Sequence, residues 1–287
     1  MVEVLVHFVA PALVGVLIGI ASGLLGIGGG TVMVPIFRLA FGMSATMSTA
    51  TSLFAIIPTS ISGAISHVKG KTCIPALGIA AGLGGACMSP IGVWLAQLSP
   101  DWLVMLAAAL IIGYSAINMF KKAFKLRPAG QPATGVDAAA AASLTSSGDA
   151  AVSAPTADDS SLSRKQLLQG AAIGLVAGLA SGYVGVGGGF IMVPLMLSII
   201  GIPMRKASGT SLIAVMILAI PGVIEQGIIG NINYLAGIAI VIGTIPGAVI
   251  GARLVTKVPE RTLRLLFGCF LIVAAVMLVL NEVGIFG

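Results

Sequence analysis

Charged residues are scarce in this chain. Asp, Glu, Lys and Arg make up 8% of its 287 residues, whereas 57% are hydrophobic. A soluble domain carries about a quarter charged residues, and one soluble core could not hide this much apolar surface. The mean hydropathy of +1.11 agrees. The composition therefore excludes a soluble globular domain and predicts an all-α polytopic membrane protein that lies in a lipid bilayer.

Cysteine and histidine are few as well. The three cysteines and two histidines lie far apart, a pattern that indicates neither a disulfide framework nor a zinc site. No nucleophile–base pair is evident, so we expect no catalytic residues, no metal, no cofactor and no enzymatic activity. The net charge of +6 does not predict nucleic-acid binding. The basic residues form no patch on a soluble domain, and their positions report membrane topology instead.

One motif occurs twice. Residues 20–35 read IASGLLGIGGGTVMVP and residues 179–194 read LASGYVGVGGGFIMVP, with ten of sixteen positions identical. The offset of 159 residues aligns about 5–120 with 164–279 without a gap. Similarity that holds register this far predicts two copies of one structural unit. We assign residues 1–120 to the first membrane repeat and 166–287 to the second.

The segment between the repeats, residues 121–165, differs in composition. It begins with KKAFKLRP and continues as a mixture of Ala, Ser, Thr, Pro and Asp. A segment with so few large apolar residues cannot bury enough surface to order itself. We expect a flexible cytoplasmic linker here, with its most flexible part at 128–163.

The distribution of basic residues predicts how each repeat crosses the bilayer. Five apolar runs per copy include a short one that contains Pro35 in the first copy. With five crossings and the N-terminus outside, fourteen of the fifteen basic residues fall at cytoplasmic ends, as the positive-inside rule favours. An odd number of crossings per copy gives the second copy the opposite orientation in the membrane to the first. We therefore expect two inverted repeats of about five membrane segments each in the cell membrane. A short run that forms half of a re-entrant hairpin gives the same parity.

The glycine runs predict broken helices inside the membrane. Each glycine costs roughly 1 kcal/mol relative to alanine in a helix interior, and Pro follows five residues after each run ends. Irregular backbone survives at membrane depth only where protein or water satisfies it. The restarted helices would present free N–H groups to an anion. Candidate binding residues are Gly28, Gly29, Gly30, Gly187, Gly188 and Gly189. Close helix packing is the competing interpretation.

A second repeated signature contains small hydroxyl residues. Thr51-Ser52-Leu53 recurs as Thr210-Ser211-Leu212. Hydroxyl groups can donate to the oxygens of an anion without placing a charge in the membrane, so these four Ser and Thr residues are also substrate-binding candidates. They can equally serve helix packing through bonds to the backbone.

Few ionisable residues fall within the apolar runs, where a charge costs about 2.5–3.5 kcal/mol on insertion scales. Arg38 is a candidate for pairing with an anionic substrate, or it snorkels toward the membrane surface. His67 titrates near physiological pH and Glu225 lies near the end of a run. Both are candidates for proton coupling.

The paired motifs GLLGIGGGTVMVP and GYVGVGGGFIMVP, with the later TSL segments, resemble the sulfite exporter TauE/SafE family. The resemblance covers both halves and leaves out the central linker. It implies a secondary transporter of sulfur-containing anions such as sulfite, sulfoacetate or other organosulfonates, with proton coupling expected at the level of the family. The partners implied are a small anionic substrate and the bilayer.

Two other functions stay open on the residues alone. The same glycine turns would suit an anion channel as a fixed constriction, and carboxylates or other small anions would suit the donors nearly as well as a sulfonate. A primary pump is disfavoured, because neither glycine run has the lysine of a phosphate-binding P-loop.

Overall fold

The computed structural model describes residues 10–125 and 163–282, and every regular element in these two ranges is helical. The helices are α1 (Ala10–Leu25), α2 (Gly30–Phe41), α3 (Ala45–Lys69), α4 (Pro75–Leu98), α5 (Asp101–Lys125), α6 (Arg164–Val184), α7 (Gly189–Leu195), α8 (Met204–Ile229), α9 (Tyr234–Leu254) and α10 (Glu260–Glu282). A π turn, Met196–Ile200, continues α7. Seven helices are long and apolar enough to cross a membrane, and α1, α2 and α7 with its π turn are shorter apolar helices. The prediction of an all-α polytopic membrane protein is confirmed.

The helices recur with the offset of the sequence repeat. The starts of α2, α3, α4 and α5 recur 159 residues later as the starts of α7, α8, α9 and α10. The helix α5 continues through Lys125 and α6 begins at Arg164, so both ends of the segment 121–165 are helical. The prediction of a flexible linker concerns the remainder, residues 126–162, which lie outside the described residues.

The two copies pack by exchanging equivalent helices. The first helix of each copy lies against the fourth helix of the other, as the pairs α1–α9 and α6–α4. Glycines allow this close approach. A Cβ atom added to Gly19 would lie 2.8 Å from the Cα of Thr244, and one added to its equivalent Gly178 would lie 2.5 Å from the Cα of Gly85. Each copy therefore packs its first and fourth helices against the other copy.

The direction of the exchanged helices supports the inverted arrangement. Along α1, Gly15 lies beside Gly243 and Gly23 beside Ala252, so α1 and α9 run parallel. In a chain whose successive helices alternate in direction, the first helix of one copy runs parallel to the fourth of the other only if the copies are inverted. The inversion with respect to a bilayer stays a prediction.

Basic residues gather at one end of the bundle. The backbone N–H of Ile74 donates to Thr210 Oγ1 at 2.9 Å, and Arg205 Nη2 donates to the carbonyl of Val258 at 2.9 Å. The end of α3, the start of α8 and the start of α10 therefore share one end. That end carries Lys69, Lys71, Arg205, Lys206, Arg253, Lys257, Arg261 and Arg264. At the opposite end Asp101 accepts a bond from Thr46. This distribution is the one that the positive-inside rule predicts for a cytoplasmic basic end.

Candidate functional site

Each glycine run breaks a membrane helix, as predicted. We name the stretch between α1 and α2 turn 1 (Gly26–Gly29) and the stretch between α6 and α7 turn 2 (Gly185–Gly188). Turn 1 has φ angles of +76°, +82° and +85° at Gly26, Gly28 and Gly29. The three equivalent glycines of turn 2 have φ angles from +66° to +86°. Only glycine adopts this left-handed backbone at no steric cost, so the repeated glycines are what permit the turns.

The two turns meet at the centre of the bundle. A Cβ atom at Gly30 would lie 2.6 Å from the carbonyl oxygen of Val186, and one at Gly189 would lie 2.5 Å from that of Gly26. The side chains of Ile56 and Val215, which are equivalent in the repeat, lie against Gly28 and Gly187. Each is the twelfth residue of its long helix, α3 or α8. The sequence analysis missed this pair, although both residues follow the repeated TSL signature by three positions.

The repeated hydroxyl residues hold the turns across the copies. Ser211 Oγ, from the second copy, donates to the carbonyl oxygen of Gly26 at 2.7 Å, and Ser52 Oγ donates to that of Gly185. Thr51 Oγ1 accepts from the backbone N–H of Asn233 at 3.0 Å, and Thr210 Oγ1 accepts from that of Ile74. All four candidates therefore lie beside the turns or the next helix starts, and each already has a protein partner.

Other polar groups around the turns have no hydrogen-bond partner among the described residues. Among the described residues, no acceptor bonds the backbone N–H groups of Gly28, Gly29 and Gly30, whereas that of Gly189 donates to the carbonyl oxygen of Gly187 at 2.8 Å. The N–H groups of Gly187 and Gly188 are unpaired in the same way.

Three serine hydroxyls nearby, those of Ser22, Ser60 and Ser181, are fully buried and also unpaired. Ser60 Oγ lies 3.6 Å from the Cβ position of Gly28, Ser22 Cβ lies 3.7 Å from that of Gly29, and Ser181 Cβ lies 3.4 Å from that of Gly188. Unpaired buried donors are costly and require an explanation. Ser22 and Ser181 occupy the same position of the repeated motif, a feature that could have identified them from the sequence.

Comparisons with known proteins agree with this architecture. The model of the family described as sulfite exporter TauE/SafE matches residues 11–278. The chain belongs to this family. It is 27% identical to the probable membrane transporter protein YunE of Bacillus subtilis over 97% of this chain and 99% of the relative. It is also 28% identical to a probable membrane transporter protein of Haemophilus influenzae, over 94% of this chain and 97% of the relative. No solved structure matches significantly. The protein is therefore a TauE/SafE membrane transporter, as predicted, and not an enzyme.

The structure of this TauE/SafE transporter places Arg38 away from the turns. Arg38 lies in the last turn of α2, eight residues after Gly30, which is about 12 Å along the helix at 1.5 Å per residue. Its side chain is half-buried and has a partner within the protein. The proposed pairing of Arg38 with the substrate therefore stays a prediction that the geometry of the turns does not use.

The two proton-coupling candidates lie at opposite ends of the transporter. His67 is fully buried, with Nε2 at 2.8 Å from the carbonyl oxygen of Gly23 and Nδ1 at 2.7 Å from Thr72 Oγ1. Its equivalent in the second copy is Gln226, whose side chain accepts a bond from Asn231 at 2.8 Å. One copy thus has a titratable ring where the other has a neutral amide. Glu225 lies near the end of α8, and its buried Oε2 has no hydrogen-bond partner.

The part of the chain that the structure describes contains no group of three or more His, Cys, Asp or Glu residues arranged to hold a metal ion. The site around turns 1 and 2 is thus built from backbone N–H groups, hydroxyls and apolar side chains. What it offers a ligand is a set of hydrogen-bond donors at the start of α2, where the helix dipole is positive.

Proposed function

We propose that this transporter carries sulfur-containing anions, such as sulfite, sulfoacetate or other organosulfonates, across the cell membrane and binds them between turns 1 and 2. The observation that carries the proposal is the set of unpaired donors at the centre of the bundle. Unpaired N–H groups of both turns lie there near the buried, unpaired hydroxyls of Ser22, Ser60 and Ser181. An anion between the turns would pair these donors.

The chemistry of the donors suits an oxyanion. A sulfite or sulfonate offers several oxygens over which its charge is delocalised, and several neutral donors can satisfy them at once. A hydrogen bond to a charged group contributes about 1.5–3 kcal/mol. No Lys or Arg side chain lies at the turns among the described residues, so the empty site does not leave an uncompensated buried cation in the membrane.

The packing of the centre supports a transporter with alternating access over an open channel. Ile56, Val215 and Val186 have no exposed surface, and the glycines of both turns are buried. Ile56 and Val215 fill the space that an anion would need beside Gly28 and Gly187. Binding therefore requires these side chains to move, which a two-state transporter provides. An anion channel is the alternative, and it would need a continuous path through this point.

Proton coupling is part of the proposal. His67 at the basic end and Glu225 at the opposite end are the residues proposed to exchange the proton. His67 is linked to the helix that leads into turn 1 by its contact with the carbonyl oxygen of Gly23. Because a carbonyl oxygen only accepts, Nε2 already carries its hydrogen, and the ring would take up a proton at Nδ1, beside Thr72 Oγ1. The positive charge of the ring would then strengthen the bond to Gly23.

The experiment is equilibrium binding to the purified protein of sulfite, sulfate, sulfoacetate, taurine, acetate and chloride, at two pH values. We expect saturable binding of a sulfite or sulfonate and a weakened affinity in Ser60→Ala. Loss of one hydrogen bond to a charged group, at about 1.5–3 kcal/mol, corresponds to roughly a tenfold to 150-fold rise in Kd. The control is Ser62→Ala on the same helix, whose hydroxyl already bonds the carbonyl oxygen of Thr59 at 2.9 Å.

Equal affinity for the anion in the Ser60→Ala and Ser62→Ala variants would show that the binding site does not lie at the centre of the bundle. Binding of acetate or chloride alone would keep the site and reject sulfur-containing anions as its substrates. A flux that saturates and shows counterflow in vesicles would exclude the channel alternative.

A further inference from the structure

A large groove lies apart from the glycine turns, between α5, α6 and α7. Its volume is about 730 Å³, which is within the range of pockets that hold small molecules. Most of its wall is apolar, with Ile111 from α5, Val176 and Leu179 from α6 and Ile191 from α7. Val176 is 57% exposed and Tyr114 69%, so the groove opens to the side of the bundle that faces lipid.

The polar residues that α5 contributes to the groove lie at one end of it. Along α5, the apolar residues Ala107 and Ile111 are followed by Tyr114, Ser115 and Asn118, all of which line the groove. Lys121 comes one turn later and is exposed. Asn118 is half-buried. Along α5 the groove thus has an apolar wall, then neutral polar groups, then a cation. This order is complementary to a phospholipid, whose acyl chain, ester and phosphate follow in the same order.

The second copy does not preserve the residues that line this groove. The groove residues and their equivalents are Ala107 and Leu266, Ile111 and Phe270, Tyr114 and Val273, Ser115 and Ala274, Asn118 and Met277, and Ser198 and Leu39. Every polar member has an apolar equivalent, and the two apolar wall residues of α5 have larger ones. Helix packing alone would not require this difference, because the exchanged helix pairs recur in both copies. The difference points to a ligand on one side only.

The wall formed by α7 is also specific to one copy. The π turn Met196–Ile200 contains Ser198, whereas the equivalent residues of α2 form regular α-helix. Such π turns are frequent at functional sites. Since α7 begins at the end of turn 2, an occupant of the groove contacts the helix that positions turn 2.

We propose that the groove binds one phospholipid of the leaflet at the basic end of the bundle. An acyl chain lies along Ile111 and Val176, the ester carbonyls accept bonds from Ser115 and Asn118, and the phosphate lies near Lys121. Polar pockets beside basic residues at this membrane level are suited to lipid headgroups. The site does not depend on which anion is transported.

The test is native mass spectrometry of the full chain after reconstitution in phosphatidylglycerol or phosphatidylcholine vesicles and extraction in mild detergent. We expect one retained phospholipid per chain, with phosphatidylglycerol retained more than phosphatidylcholine because of Lys121. The variant Ala107→Leu/Ile111→Phe installs the residues of the second copy, fills the groove and should lose the lipid. The matched control is Leu110→Phe on the same helix, where the native side chain is 65% exposed outside the groove lining.

A second variant keeps the test decisive if the first variant fails to fold. Asn118→Met, which also installs the residue of the second copy, should reduce lipid retention with the groove still open. No retained lipid in the wild-type protein, or equal retention in the filled variant and the Leu110→Phe control, would overturn the proposal. A dimer that the filled variant dissociates, with no change in bound lipid, would assign the groove to a second copy of the chain and overturn it as well.

Discussion

At the scale of single residues, the glycines of the turns both adopt a left-handed backbone and leave room for neighbouring side chains. The φ angles of Gly29 and Gly188 are +85° and +66°, and both residues also lie against neighbouring side chains. A Cβ atom at Gly29 would lie 3.0 Å from Ile18 and 3.1 Å from Met33. A larger residue here therefore adds steric overlap to backbone strain.

We expect Gly29→Leu or Gly188→Leu to abolish anion binding while the protein still inserts into the membrane, because the added side chain displaces the unpaired N–H groups. Equilibrium binding and recovery in the membrane fraction measure the two effects. The control is Gly42→Leu, which has a φ of +61° but no neighbour within 4 Å of its Cβ position. Full affinity in the Gly29→Leu protein would refute the glycine-turn site.

A second prediction at this scale concerns proton coupling, and the repeat supplies its conservative variant. His67→Gln installs the residue of the equivalent position, Gln226, which is also buried and hydrogen-bonded. If His67 carries the proton, the pH dependence of transport flattens while transport at a fixed pH persists. Measurement of uptake by vesicles across pH, for this variant and for Glu225→Gln, separates the two candidates. A variant whose pH profile matches that of the wild-type protein marks its residue as structural.

At the scale of helices, the sequence was sufficient to predict where helices break but not which groups of the other copy they contact. The GGG runs predicted broken helices because glycine at φ above zero is a local property. Ser52 and Ser211 were expected beside the turns, but their partners were not, because those carbonyl oxygens belong to the other copy. The unpaired hydroxyl of Ser60 has no counterpart in the second copy, where Ala219 stands. Only the packing of α3 against turn 1 identifies it.

The threonines show how the helices of one copy depend on the other. Thr210 Oγ1 accepts the N–H of Ile74 immediately before α4, and Thr51 Oγ1 accepts that of Asn233 immediately before α9. Thr210 is fully buried, so removal of its hydroxyl leaves a buried N–H group without a partner. Such a group costs about 1–3 kcal/mol.

We therefore expect Thr51→Val and Thr210→Val each to lower the free energy of unfolding by about 1–3 kcal/mol, with little change in side-chain volume. Thermal unfolding in detergent measures the effect. Thr256→Val is the control, since Thr256 follows α9, is exposed and bonds only the carbonyl oxygen of Arg253 near the end of that helix. Equal unfolding temperatures for Thr210→Val and Thr256→Val would show that the bond to Ile74 adds no stability.

At the scale of the whole molecule, the exchange of helices joins the two copies into one body. The pairs α1–α9 and α4–α6 place glycines in backbone contact across the copies, and turns 1 and 2 lie between them. A rearrangement of these helix pairs would therefore move both turns. Mean hydropathy and charge parity predicted the number of segments per copy, but no property of a single segment predicts which helices exchange.

The inverted orientation gives the last prediction. Lys71 follows α3 and its equivalent Gly230 follows α8, and both are exposed. Inverted copies place these two positions on opposite sides of the membrane, whereas copies of the same orientation place them on one side. In a background without the three native cysteines, we expect Gly230→Cys to react with an impermeant maleimide in intact cells. Lys71→Cys should react only after permeabilisation, because the positive-inside rule predicts that the basic end faces the cytoplasm. Reaction of both cysteines from one side would contradict the inverted repeat, and reaction of Lys71→Cys alone in intact cells would reverse the orientation of the whole molecule.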